Sequence, residues 1–479
     1  MGVVEQMPSE FDTAPAVALE YIAAHEGPVL VDLDETLYLR NSTEDFLDLA
    51  RPRILAAFLL RLLDAVRPWR WTGGDPARDV WRVRLVRTLF PWVHFQWLHS
   101  VKGLARAFGN QELLRAFERH GISPLIVTSG FRPIVTPLVA ALGLPDAPIV
   151  ASRLDGCDDR IRGKLACAVD SLGEAMLRRS LLITDSLQDI AVLRACLRPV
   201  RTRWPGAYCR RAHADVYLPG EYLTRVKRPG AHYIRRGILQ EDFVFWVLSS
   251  IALAMHPALH VLGLLLLLIS FWAIYERGYV DNDLAAVRYE HDPKLELAFW
   301  DGSVAIPGVA PWIWAFATGA LGILALRWPG TPDSSDYARW AAVLIGTYLW
   351  FKLYNRLDKG TRVWMYAGLQ LARVGAFVVL VPVLPIGAVA LGANALSRWV
   401  PYHLYRSTGN RWPHDDDVPL IRLTYFVVLG ALIGLAIEPA VVFNWTALLL
   451  LAWNVYRARH ALRSMVSHLQ RLDRSGGRT

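Results

Sequence analysis

The run Val29-Leu30-Val31-Asp32-Leu33-Asp34-Glu35-Thr36-Leu37 is an apolar strand that delivers two carboxylates, one residue apart, to its C-terminal end. Strand alternation puts Asp32 and Asp34 on the same side, where one can attack phosphorus while the other manages protons. Three further elements follow in an order that phosphoryl chemistry would use. Pro124 to Phe131 is a buried-type strand whose Thr128 hydroxyl and following amides suit a phosphate oxygen. Lys164, in Arg162-Gly163-Lys164, offers a cation to neutralise nucleophile and phosphoryl group, with Arg162 its nearest rival. Leu181 to Asp189 is another strand ending in carboxylates, Asp185 and Asp189.

These four elements must converge at one edge of a sheet. An apolar strand ending in DxDxT, one ending in Thr, a lysine, and one ending in DSxxD resemble the haloacid dehalogenase (HAD) superfamily over residues 1–220. That resemblance implies an α/β Rossmann-like domain in which Asp32 is the nucleophile and Asp34 the general acid and base. It implies that Thr128 and Lys164 grip the phosphoryl group. Mg²⁺ would sit on the Asp32 carboxylate, the Asp34 carbonyl and Asp185, with Asp189 supporting the metal shell and orienting Lys164. Ser129 and Ser186 read as structural neighbours. Glu35 stands where small-molecule members of the superfamily commonly have glycine, and the spelling Asp-Leu-Asp-Glu-Thr-Leu is shared with protein phosphatases of the RNA polymerase tail.

Between Thr36 and Thr128 the chain reads as helical from Thr43 to Phe117, a cap inserted after the first motif and spanning about residues 40–118. Such a cap favours a small or lipid-headgroup phosphomonoester over a phosphoprotein. Trp69, Trp71, Trp81, Trp92 and Trp97 alternate there with arginines, which suits either the interfacial layer of a membrane or a cap packed on the core. Nucleic acid is not an expected partner.

At 479 residues, 53% hydrophobic and net charge +9, the chain is too apolar for an ordinary soluble two-domain protein. Residues 221–240 read as a basic linker, and 241–479 as a polytopic all-α membrane bundle with a basic tail. Phe243 to Tyr275, interrupted at His256-Pro257, is divided into two spans by the distribution of basic loops. The other spans are Val304 to Leu326, Trp340 to Phe351, Val363 to Val381, Leu384 to Trp399, Leu423 to Ile437 and Ala440 to Tyr456. Eight spans place both termini and the HAD domain on the cytoplasmic side of a bacterial-type inner or plasma membrane. The acidic, polar start lacks the pattern of a cleavable signal, and the four cysteines read as free thiols.

Two acidic loops are then expected on the phosphatase side, one around Asn282 and Asp283 and one at His414 to Asp417. An Asn-Asp loop after span two and an Asp-rich loop after span six resemble UbiA-type prenyltransferases. That resemblance implies Asn282, Asp283, Asp416 and Asp417 as metal and diphosphate residues. The functions carried forward are a membrane phosphatase acting on a lipid-linked phosphate, a phosphatase fused to a polyprenyl transferase, and a transporter or scaffold regulated by its HAD domain. A bundle lacking buried charge would argue against transport.

Overall fold

The computed structural model describes residues 10–293, 295–300, 308–358, 360–409 and 418–476. It divides into two compact units, Val3–Val216 and Tyr217–Thr479.

The first unit is built on a parallel sheet of five strands: β1 (Val29–Val31), β2 (Leu125–Phe131), β3 (Ile149–Ser152), β4 (Leu181–Thr184) and β5 (Arg198–Arg201). The order is β3-β2-β1-β4-β5, all parallel. Val29, Leu30 and Val31 are buried on both faces, as a central parallel strand requires. Because β1 pairs with β2 through Val31↔Ile126 and with β4 through Val31↔Ile183, the tips carrying Asp32, Thr128 and Asp185 lie side by side. Ligands of open parallel sheets bind at such carboxyl ends.

Helices α1 (Pro15–Ala23), α2 (Ser42–Asp48), α3 (Arg53–Val66), α4 (Arg78–Leu89), α5 (Val93–Phe108), α6 (Gln111–His120), α7 (Arg132–Ala141), α8 (Asp158–Leu172), α9 (Glu174–Leu177) and α10 (Ile190–Ala195) complete this unit. The segment after the first motif is helical, but it is not all lid. Trp97 of α5 is fully buried, donates to the Ile134 carbonyl at the start of α7, and meets Phe46 edge-on at 5.9 Å. Trp69 is buried too, whereas Trp71 and Trp92 are exposed, so packing on the core accounts for Trp69 and Trp97 and not for the other two.

The second unit is mostly helical. The expected linker 221–240 is itself helical, with π-type turns at Leu223–Lys227 and Ile234–Phe243, and the latter runs directly into α11 (Val244–Ser250). The helix breaks at Ala254 and His256 before α12 (Pro257–Tyr289), so the first long apolar stretch is two helices. There follow α13 (Leu297–Trp300), α14 (Ala310–Arg327), α15 (Ser334–Tyr354), α16 (Arg362–Gly375), α17 (Pro385–Thr408), α18 (Val418–Ala436) and α19 (Trp445–Gly476). Each of the eight apolar segments overlaps a helix, but among the described residues three of these helices, α12, α14 and α18, are long and apolar enough to cross a membrane, so length and composition support three spans where eight were expected. Small residues let α12 and α14 approach closely: a Cβ on Gly263 would stand 2.9 Å from the Gly322 carbonyl, and one on Gly322 the same distance from the Gly263 carbonyl.

Two expectations change here. The first acidic loop is no loop, since Asp281, Asn282 and Asp283 lie inside α12. Ion pairs keep that stretch helical: Arg277 and Lys352 hold Asp281 at 2.9 and 2.8 Å, and Lys227 with the Tyr222 hydroxyl holds Asp283 at 2.5 and 2.7 Å. Nor does the bundle lack buried charge. Arg373 pairs with Asp242 at 2.8 Å, both nearly inaccessible, while Arg422 and Arg457 hold Glu241. Asp416 and Asp417 lie outside the described residues.

Candidate active site

Past β1 the chain turns sharply, with the Tyr38 amide donating to the Leu33 carbonyl and the Glu35 amide to the Arg40 carbonyl. Glu35 sits at φ +60°, a left-handed conformation that favours glycine, which gives a physical reason for the glycine common at that position. The turn is closed where the helical insertion returns: the Asn110 amide donates to Leu37, and its side chain to the Thr36 carbonyl at 2.9 Å. Asn110 also caps α6, accepting from the Leu113 amide.

Asp32 is nearly inaccessible. Its Oδ1 accepts from the Leu33 amide at 2.8 Å, and its Oδ2 lies 2.9 Å from Lys164 Nζ. Lys164 Nζ reaches Asp189 Oδ2 at 2.7 Å, so one ammonium bridges two carboxylates. The Thr184 hydroxyl stands 2.6 Å from Asp189 Oδ2 and 3.1 Å from Asp32 Oδ2, and can donate to one at a time. The lysine arrives through a break in α8, where Gly163 adopts φ +84° and ψ 167°. Arg162 instead pairs with Asp170 at the surface.

Asp34 is held differently. Its Oδ1 accepts the Ser42 amide at 2.6 Å, at the start of α2, so the insertion positions this acid. Asp185 Oδ1 accepts from the Thr36 hydroxyl at 3.1 Å, and Arg201 Nε donates to its carbonyl. Thr128 is buried at the β2 tip and its oxygen accepts from the Gly130 amide at 3.0 Å. A Cβ on Gly130 would meet Val135 at 2.8 Å, so this amide needs glycine. The Ser129 carbonyl accepts from Arg160 and Ser152, and the Ser186 side chain caps the turn Leu187–Asp189.

The electrostatics mark a deficit of positive charge. Burial pushes the Asp32 carboxyl well above the usual carboxylate range; Lys164 opposes this while Asp189 and Asp185 add to it. Burial likewise raises Asp34 to about 6 against the Ser42 amide, and Asp185 to about 6 against the Thr36 hydroxyl. Burial also disfavours the Lys164 charge, but Asp32 and Asp189 outweigh it and hold its pKa above the ordinary value. Three carboxyls pushed up around a single ammonium mark a hard-oxygen site that fits Mg²⁺. Among the described residues no three His, Cys, Asp or Glu side chains converge as a metal cage. The donors here would be the Asp32 and Asp185 carboxylates with the Asp34 carbonyl, leaving positions for phosphate and water.

Sequence reasoning missed Thr184, Asn110 and Arg160. Thr184 stood in view at the end of β4, and an asparagine just before a helix is a capping signal. Arg160 had no signal, because its partners are distant: Nη1 donates to the Ser129 carbonyl and Nη2 to Asp79 of α4, both at 2.6 Å.

No curated protein and no solved structure matches the chain. Residues 29–194 match the family model of haloacid dehalogenase-like hydrolase, and the parallel sheet they build supports a domain of that kind.

Proposed function

We propose that this protein is a membrane-integrated, Mg²⁺-dependent phosphatase that hydrolyses a lipid-linked or membrane-delivered phosphomonoester through an aspartyl-phosphate. A hydrolase of this family fits a phosphatase. The observation that carries the reading is the unequal treatment of two neighbouring carboxylates. Asp32 is fixed 2.9 Å from the Lys164 ammonium, while Asp34 is tied by one oxygen to a helix start and has no cation in contact among the described residues.

Asp32 attacks phosphorus and Asp34 gives its proton to the departing alkoxide; Asp34, now charged, takes a proton from the water that cleaves the acyl phosphate. Lys164 and Thr128 hold the phosphoryl oxygens. Mg²⁺, when bound, offsets charge on the phosphoryl group. Eight of the nine helices described in the second unit, all but the short α13, are read as membrane segments, with basic loops and both termini cytoplasmic and lipid as the partner phase.

The test is Mg²⁺-dependent phosphate release by the full chain in nanodiscs against soluble and lipid-linked phosphomonoesters. Preference for lipid-linked members, lost in Asp32→Asn, is expected; no turnover of any member would overturn the reading.

A second reading adds polyprenyl transfer in the bundle, favoured by carboxylates Asp281 and Asp283 buried on one helix. Both already have cationic partners. Loss of a transferase activity in Asp283→Asn, with phosphate release intact, would establish it.

A further inference from the structure

Helix α3 turns its small residues inward and its large apolar ones outward. Ala56, Ala57 and Leu60 are buried against the unit, whereas Ile54, Leu55, Phe58, Leu62 and Val66 are 47 to 56% exposed. At helical spacing these five form one continuous stripe, and no acidic side chain interrupts it. The helix ends at Arg67, and the turn Pro68–Trp71 then presents Arg70 and Trp71, the latter 80% exposed. Arg67 and Arg70 are exposed and have no carboxylate partner among the described residues. An apolar stripe ending in Trp and unpaired Arg is the reverse of a water-facing helix.

We propose that this face of α3 lies in the headgroup layer of a bilayer. It rests on reading the second unit as membrane-embedded and deepens that reading by assigning the surface through which the phosphatase unit itself meets lipid. Two observations select lipid as the occupant. The same chain carries α12, α14 and α18, each long and apolar enough to cross a membrane, so a bilayer is the apolar phase at hand. The unpaired guanidinium groups at the stripe's end complement anionic headgroups, whereas a second copy docked on this face would confront them with like charge. The indole of Trp71 suits the same depth.

The experiment uses the full chain with Cys157, Cys167, Cys196 and Cys209 replaced by serine, in nanodiscs of phosphatidylcholine and phosphatidylglycerol. A nitroxide is attached in turn through Phe58→Cys, Leu62→Cys and, as a water-facing control, Glu112→Cys. The labels at 58 and 62 should collide more with oxygen than with a water-soluble nickel chelate, and the label at 112 the reverse. Greater nickel than oxygen accessibility at 58 and 62 overturns the proposal, as does protection from both reagents, which would mean protein covers the face. A double variant, Phe58→Glu with Leu62→Glu, gives a second readout. Release from a bilayer-embedded phosphomonoester should fall about tenfold, since each change removes the burial of a large apolar side chain, with a soluble aryl phosphate unaffected. Equal effects on both substrates would overturn the assignment. If the parent protein hydrolyses neither substrate, the phosphatase reading fails while the label result still decides the surface.

Discussion

Lys164 is the one cation in contact with Asp32 among the described residues, and Asp189 is the group that holds it there. At 2.7 to 2.9 Å and an effective dielectric near 20, each contact is worth about 6 kcal/mol in raw Coulomb energy. Desolvation of a side chain only 7% exposed cancels much of that, and breaking such a buried pair costs about 3–5 kcal/mol. The catalytic effect of Lys164→Met is the loss of a fixed donor to developing phosphoryl charge, which lowers kcat by about 10²- to 10³-fold. Asp189→Asn keeps the volume beside Thr184 and loosens Lys164, so kcat should fall by roughly tenfold, a coupling of about 1.4 kcal/mol. If Asp189 acts through Lys164, the double variant should be no slower than Lys164→Met alone. It should gain slightly, because the repulsion between Asp32 and Asp189 is gone. The assay is kcat for Mg²⁺-dependent phosphate release at saturating substrate for the four proteins. A double variant slower than Lys164→Met by the full Asp189→Asn factor would refute the argument and give Asp189 a task independent of the lysine.

Three further perturbations test the scaffold around this pair. Gly163→Ala meets no atom within 4 Å, so its effect is conformational; at φ +84° and ψ 167° it should cost about 1–3 kcal/mol and lower kcat as a milder Lys164 defect, seen in kinetics and in faster amide exchange across α8. Arg160→Ala removes the link from Asp79 to the Ser129 carbonyl; KM should rise by about fivefold, near 1 kcal/mol, with kcat changing less, and a fall in kcat alone would contradict the positioning role. Burial pushes the His213 imidazole down to about 4, so the fold keeps it neutral while the unfolded chain protonates near 6.5. The contribution is therefore complete above about 6.5 and lost as pH falls toward 4, up to about 3 kcal/mol. Amide exchange in β1 between pH 7 and 5 should show it, and His213→Gln should flatten the dependence.

The strands that carry chemistry were legible because each is an apolar run stopping at a polar tip. β3 and β5 were not. β5 is Arg198-Pro199-Val200-Arg201, whose strand character comes from pairing with β4 and from nothing in its own pattern. The lysine could be located by sequence order, but only the backbone at Gly163 shows how it reaches Asp32. The helical insertion was legible as helix, and its division between lid and core was not, since Trp97 and Trp71 look alike until one is buried beneath α7 and the other left exposed.

The second unit shows why counting apolar residues gives different answers. Hydropathy penalises a charge whether or not it has a partner, and the partners here are remote: Asp242 and Arg373 are 131 positions apart, Glu241 and Arg422 181. Arg373 also donates to the Tyr233 hydroxyl and the Gly237 carbonyl, so all three of its nitrogens are engaged, whereas Arg422 donates through Nε to Asn454 and through Nη1 to Glu241 and leaves Nη2 buried without a hydrogen-bond partner. A charge satisfied in this way presents little polarity outward, while a window along one helix still records it in full. Of the helices bearing these groups, α11 and α16 fall short of the spanning criterion already by length, α19 is long enough but too polar to meet it, and α18, which carries Arg422, meets it. Substituting Asp242→Asn should therefore leave Arg373 buried with a weakened partner and destabilise the bundle by about 3–5 kcal/mol, far more than loss of a surface pair. A bundle as stable as the parent in detergent unfolding would mean that these charges are solvated and that hydropathy alone counts the spans correctly.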